Sequence, residues 1–394
     1  MIPERDAWAV LASVRGLGPA TFGLLLREHG SASRVLDLAA TAAGRRLIRD
    51  GPARGRDRLP GRLVSALATA HGDGQAILAR LGMGDLTMLT IEDADYPRRL
   101  RELEEPPPVL FVRGDVAPLA AQRAVAVVGT RRPTEAGRRI AARISDALGR
   151  VGAVVVSGLA VGVDGAAHAA AVAAGLPTVA VLGSGHDHLF PRAHTRLAEA
   201  IVAAGGAVVS ELPPDSGPTP GTFPRRNRLI SGLADSTVVV EAAARSGALI
   251  TARWALEQGR ACFLVPGSID APTSAGCLAY LRTYPGEARI VAGIPELLED
   301  LELVEPSPLA GSASSSGTLS WAALRAVLGP SEARVAEALA AGATTVDELA
   351  LATELAVPTV LGTLTLLEIR GLVVGAYGRY RPAGALASAP PRLP

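Results

Sequence analysis

The sequence predicts an α/β fold: a doubly wound, mostly parallel sheet between a helical N-terminal region and a C-terminal winged helix. Three observations carry this expectation. Between residues 122 and 300, apolar runs of strand length alternate with Ala-rich helical stretches, as in parallel strands joined by crossover helices. Several runs, such as AVAVVGT (124–130) and STVVVEA (236–242), are almost continuously apolar, as a sheet buried on both faces requires. Beyond residue 320, three helical stretches precede a short hairpin, which is the plan of a winged helix-turn-helix.

The chain of 394 residues is 48% hydrophobic and 20% charged, which is globular and too long for one ordinary core. No run of about 18 residues is apolar and free of charge, so no membrane span is expected. The start, MIPERDAW, carries no signal-type apolar block. Cys262 and Cys277 make neither a disulfide framework nor a zinc pattern. Cytoplasmic residence is the default that follows. A formal net charge of +1 leaves no global footprint for a polyanion, so an anion site has to be built by placement. The chain has no Lys, and all 39 basic residues are Arg. Every cationic contact is therefore a planar fork that stacks on rings and binds phosphate in bidentate fashion.

Taken in order, residues 1–85 read as short helices, with Trp8, Val10, Leu11 and Val14 on one apolar face. The turn Gly16-Leu17-Gly18-Pro19 between two amphipathic helices has the pattern of a helix-hairpin-helix, and a structural role is favoured over a phosphate contact. Residues 44–62, rich in Arg, Gly and Pro, read as a loop. In 86–115 the prolines at 106–108 force an extended approach to the strand VLFVRG, and the segment reads as a connector into the next domain, 86–302. Further strands follow at 152–159, 177–185, 207–212 and 261–267, with 289–293 as an edge strand. Residues 303–320 form a Pro-, Ser- and Gly-rich linker, 321–386 the winged helix, and 387–394 a disordered tail. In the winged helix Thr345 caps one helix, Val357-Pro358-Thr359 opens the next, and 372–380 forms the hairpin around Gly375 or Gly378. From Ser331 onward five Arg face six acidic residues, and the helix in the recognition position carries only Arg370. A duplex reader is basic there, so a protein contact or a packing role fits better.

Ligands of doubly wound sheets bind beyond the C-terminal strand ends. That rule gathers Gly129, Thr130, Arg131 and Arg132 after the first strand, Ser157, Gly158 and Leu159 after the second, 183–185 after the third, and the stretch from Glu241 to Ser246 and Gly247 after the fifth. The dinucleotide fingerprint GxGxxG is missing after the first strand, which reads GTRRPTEAG. The stretch FPRRNRLISGL (223–233) joins the same edge. Pro224 suits the first position of a helix. Arg225, Arg226 and Arg228 then crowd a helix start that is already partially positive, an arrangement that an anion would explain. Phe223 offers its ring to something flat, and a phosphate with its base satisfies the whole stretch. A basic surface turn over a buried Phe satisfies it equally, and the stretch alone does not choose.

Asp164 and His168 stand at i, i+4, with His186, Asp187, His188 and His194 in the next loop. An acid–base pair or half a metal site is possible by spacing. A carboxylate that caps the helix, accepting from loop N–H groups or from His168, is the favoured reading, since HExxH and a nuclease-type carboxylate cluster are both missing. Ser157, Ser231 and Ser246 lack the GxSxG frame. No catalytic set, metal site or cofactor is expected.

The motifs VVGTRRPTEAG, VVVSGLAVGVDGAAH, VAVLGSGHDHLFP, SELPP, FPRRNRLISGLADSTVVVEAAARSGALITARWALEQGR and LVPGS occur in this order. Together, over about residues 90 to 300, they closely resemble the DNA-processing protein A family (DprA, also called Smf). The resemblance implies a Rossmann-like domain that binds single-stranded DNA and forms a homodimer, with a sterile-alpha-motif-like start and a winged-helix end. It implies protection of incoming single strands in natural transformation and loading of the RecA recombinase, without enzymatic turnover. Carried over by motif, Arg131 would hold phosphate and Gly158 would line the pocket. Phe223 would stack on a base, while Arg225, Arg226 and Asn227 would grip backbone and base edges. Where the family builds its dimer contact, this chain departs from the usual pattern with Leu278-Ala279-Tyr280-Leu281 and Tyr284-Pro285. The alternative from another class is a phosphoribohydrolase-like nucleotide-processing enzyme, whose PGGxGTxxE motif is missing here.

Overall fold

A computed structural model describes residues 2–51, 58–82, 84–303, 325, 328–370, 372–376, 379–382 and 386. The expected linker from residue 304 and the tail 387–394 lie outside the described residues. The chain divides into two compact units, Met1–Pro306 and Ser307–Pro394.

The first unit is organised by one nine-stranded sheet. Its strands are β1 (Leu86–Thr90), β2 (Val109–Gly114), β3 (Ala124–Val128), β4 (Val154–Ser157), β5 (Thr178–Val181), β6 (Ala207–Ser210), β7 (Ser236–Val239), β8 (Ala261–Leu264) and β9 (Ala288–Ile290). The order is β1-β2-β6-β5-β4-β3-β7-β8-β9. From β6 to β9 every pairing is parallel. From β3 the chain winds first outward to β4, β5 and β6, then crosses back to β7, β8 and β9. This is a Rossmann-like doubly wound sheet, with its topological switch between β3 and β7.

Alternation along each strand explains the apolar runs. Val125 and Val127 face one layer with Ile144 and Leu148, whereas Ala124, Ala126 and Val128 face the other with Leu229 and Ile230. Residues 86–115 do more than connect. β1 pairs antiparallel with β2, from Leu86↔Arg113 to Thr90↔Val109, and β2 pairs antiparallel with β6. Phe111 and Val109 then pack with Met88 against Trp8, Phe22 and Leu25 of the N-terminal helices, while Leu110 and Val112 serve the sheet core. The Arg-rich stretch read as a loop is helical over Ala42–Asp50. Thr41 caps that helix, Arg45 donates to the Ala39 and Ala40 carbonyls, and Ile48 is fully buried. Local capping and one anchoring side chain outweigh the loop-like composition. Residues 52–57 lie outside the described residues.

The second unit holds helices Pro330–Ala340, Val346–Thr353 and Val357–Ile369, followed by the antiparallel pair β10 (Val373–Ala376) and β11 (Arg379–Pro382). Thr345 accepts from the Glu348 N–H, and the Glu348 carboxylate accepts from the N–H of Thr344 and Thr345, closing a capping box. Val360, Leu364 and Leu367 pack on Val335, Leu339 and Leu349. This is a winged helix. Gly375 pairs with Tyr380 inside the ladder and so does not make the hairpin turn; the other candidate, Gly378, lies outside the described residues. Among the described residues no single helix is long and apolar enough to cross a membrane.

Candidate nucleic-acid interface

The two loops that leave the switch point, after β3 and after β7, form opposite sides of a cleft of about 800 Å³. Gly129, Thr130 and Arg131 come from the first loop. Arg245, Ser246 and Gly247 come from the second and lead into helix Ala248–Glu257. The helix Thr222–Gly232 closes a third side with Phe223, Arg226 and Asn227, and Phe190 stands at the mouth. Eight of the residues singled out from the sequence thus meet in one place.

The arginine triplet does not. The helix starts at Thr222, which puts Pro224 third in it, still in the turn whose N–H groups are unpaired. Successive helical residues are turned about 100° apart, so Arg226 points away from Arg225 and Arg228, which stand three positions apart on one face and both reach Glu211. Arg225 lies outward beside Gly16 and Gly18 of the N-terminal turn, 3.7 Å from Glu211. Arg228 is buried beside the same carboxylate, ion-paired with Glu211 and donating to the Glu105 carbonyl. Only Arg226 reaches the cleft. It is 5% exposed and donates to the carbonyls of Gly158 and Val181, at the ends of β4 and β5.

Arg226 has no carboxylate within ion-pair distance among the described residues. Its nearest countercharge, Asp164, accepts from the Gly158 N–H at 3.1 Å, with the Ala160 and Gly129 N–H groups also directed at it. A Cβ on Gly158 would stand 2.8 Å from both the Arg226 Cζ and an Asp164 oxygen, so any side chain there would push one of the two groups out of place. Burial lowers the Arg226 guanidinium to about 10, with Asp164 opposing the shift and Arg131 adding to it. Burial likewise raises the Asp164 carboxyl, against the pull of Arg226 and the loop N–H groups. The cleft floor is therefore a buried cation with an indirect counter-ion. Above it, Arg131 and Arg245 are exposed and make no ion pair among the described residues.

Several expected contacts lie just off the cleft. Ser157 is buried and donates to the Val127 carbonyl at 2.6 Å. The Leu159 side chain is fully buried in a satellite core, with a backbone φ of 56°. Arg132 is exposed, and its N–H donates to the Thr130 hydroxyl. Residues 183–185 are buried: they support the wall, Gly183 lying so close under Phe223 that a Cβ there would sit 2.7 Å from its ring. Glu241 is engaged by Thr134.

The histidines hold structure. His168 pairs its Nδ1 with the Thr178 hydroxyl, not with Asp164, and burial pushes it down to about 3. His186 and His194 bond to the Phe111 and Leu159 carbonyls. Among the described residues no three His, Cys, Asp or Glu side chains are grouped to hold a metal ion. Burial raises the thiols of Cys262 and Cys277 to about 12 and about 11.

Sequence reasoning did not single out Phe190 or Thr251 as cleft residues, and it took in Arg245 only as part of the stretch from Glu241 to Gly247. Arg245 directly precedes the Ser-Gly pair that was chosen, which was a usable signal. Phe190 carries no local signal, because its loop returns to the cleft only in the folded chain.

Fold and cleft together define a doubly wound α/β protein with a cleft lined by cations and phenyl rings at its switch point. Comparison with known proteins narrows this. The family model described as DNA recombination-mediator protein A matches residues 87–302, and that of the DprA winged helix domain matches residues 322–379. The chain belongs to the DNA recombination-mediator protein A family. It is 35% identical over 400 residues to a putative DNA processing protein DprA of Mycobacterium tuberculosis, covering 96% of this chain and 94% of that one. It is 37% identical over 225 residues to the DNA processing protein DprA of Bacillus subtilis, covering 57% and 74%. The X-ray structure of DprA from Streptococcus pneumoniae aligns with a TM-score of 0.62 at 30% identity, covering 75% of this chain and 97% of that one.

Proposed function

We propose that this chain binds single-stranded DNA in the cleft beside Phe223 and mediates recombination without catalytic turnover. In this reading it protects incoming strands in natural transformation and loads the RecA recombinase on them, as a cytoplasmic homodimer formed through the Rossmann-like domain. One observation carries the DNA-binding part: three guanidiniums that make no ion pair among the described residues, Arg131, Arg226 and Arg245, share a cleft with two phenyl rings. The cations answer phosphates, and the rings answer bases, whose faces are free only in an unpaired strand. Asp164 favours binding over acid–base chemistry, since loop N–H groups already occupy it.

The test is a titration of short oligo-dT against duplex DNA and AMP, with mass measured in each state. Oligo-dT should bind best, and log K should fall with log salt by about 0.7 per phosphate engaged. Preference for duplex, or release of base from AMP, would overturn the reading.

A further inference from the structure

The two rings of the cleft are not equivalent. Phe223 is half-buried and hemmed in. Its ring lies against the Gly183 main chain, the Arg131 guanidinium stands 5.8 Å from its centroid, and Phe190 meets it at 5.5 Å with the planes 58° apart. Phe190, in contrast, is 45% exposed. It is the one aromatic among the large hydrophobic side chains exposed in the described residues, and it lines the cleft. A phenyl ring left in water beside unpaired cations marks a binding surface more than a packing need.

The surroundings define its ligand. Phe190 belongs to the loop that follows β5, whereas Arg245 follows β7, and β4 and β3 lie between those two strands. A ligand touching both is extended along the sheet edge. A flat face at one end and cations along the rest suit one base of a strand whose phosphates pass Arg131 and Arg245.

We propose that Phe190 forms an outer nucleotide subsite on which a base of the bound strand stacks, and that Phe223 chiefly positions Phe190 and Arg131. This rests on the single-strand reading of the cleft. In the sequence the stacking role falls to Phe223; the geometry moves the free face to Phe190.

The experiment titrates fluorescent oligo-dT into the full chain, comparing wild type with Phe190→Leu and Phe190→Trp at several salt concentrations. Phe190→Leu keeps apolar bulk but loses the ring, and should weaken binding by about 5- to 150-fold, the loss of one stacked base. Its salt slope and its unfolding midpoint should match wild type. Phe190→Trp should retain tight binding, and its added emission should be quenched by oligo-dT. Wild-type affinity in Phe190→Leu, a salt slope that falls with it, or an unquenched signal in Phe190→Trp would each overturn the subsite while wild-type binding stands. Failure of the wild type itself to bind oligo-dT would remove the underlying reading, and the subsite with it.

Discussion

Two clefts of the first unit carry three arginines each, and they are opposites. The one beside Phe223 holds Arg131, Arg226 and Arg245 with a single carboxylate, Asp164. The other, about 1010 Å³, holds Arg99, Arg228 and Arg260 among Glu102, Glu104, Glu105, Asp235 and Glu257. There Arg99 binds Asp235 at 2.6 Å and the carbonyls of Ala121 and Gln122. Arg260 donates to the carbonyls of Ser231, Ala234 and Arg99. Those guanidiniums already have acceptors and countercharges, and they clamp loops together. The larger space is thus the poorer anion site. What distinguishes the cleft beside Phe223 is the charge left without a partner at Arg131 and Arg245 among the described residues, not volume or the number of cations. The same helix feeds both clefts, Arg226 into one and Arg228 toward the other.

The contrast can be broken most severely at Arg226. Arg226→Met leaves the Gly158 and Val181 carbonyls unpaired and Asp164 buried without its countercharge. Stability should fall by about 2–5 kcal/mol, read from the urea midpoint, as expected when two buried carbonyls each lose their charged donor. A loss under about 1 kcal/mol would show that the floor is not held by this cation.

Acid tests the same floor from beneath, since His168 is buried near Arg226. Its folded value is depressed to about 3 from 6.5, so the unfolded chain binds the extra proton between those values. The stability this neutral ring contributes is complete above pH 6.5 and drains as pH falls toward 3, by about 1.4 kcal/mol per unit. His168→Asn should flatten that part of the pH–stability curve. An unchanged curve would mean the ring is not held neutral.

Matched substitutions sharpen the comparison. Arg260→Ala should cost about 1.5–3 kcal/mol of stability while the folded protein keeps its oligo-dT affinity and salt slope. Arg131→Ala should do the reverse: stability within about 0.5 kcal/mol of wild type, weaker binding, and a salt slope shallower by about 0.7. If both variants lose binding alike, the division between the clefts is wrong. The smallest effect belongs to Arg225→Ala, which removes a loose 3.7 Å pair between a half-exposed guanidinium and Glu211, whose carboxylate keeps Arg228, and should cost at most about 1 kcal/mol. Its salt slope should equal that of wild type; a shallower one would extend the DNA path to the N-terminal turn.

Much of this was legible before folding. The parallel strands announce themselves because burial on both faces leaves no room for polar residues, as in AVAVV of β3. The cleft position followed from strand order, and Gly129, Arg131, Ser246 and Gly247 do line it. The extension of the sheet by β1 was missed because LTMLT becomes a strand only through its partner VLFVRG. Local composition misled at 44–50, where a cap and one buried Ile made a helix.

The linear chain by itself determined where the ligand-facing loops would lie, because alternation of strand and helix allows few windings and only one switch point. Which arginines stand free there was decided by the tertiary structure alone. Arg226 is met by a carbonyl 68 residues earlier and Arg228 by a carboxylate 17 residues earlier, while among the described residues no carboxylate comes to meet Arg131, only the Phe223 ring. Countercharge is a property of neighbours in space, and one turn of helix is enough to give adjacent residues different ones.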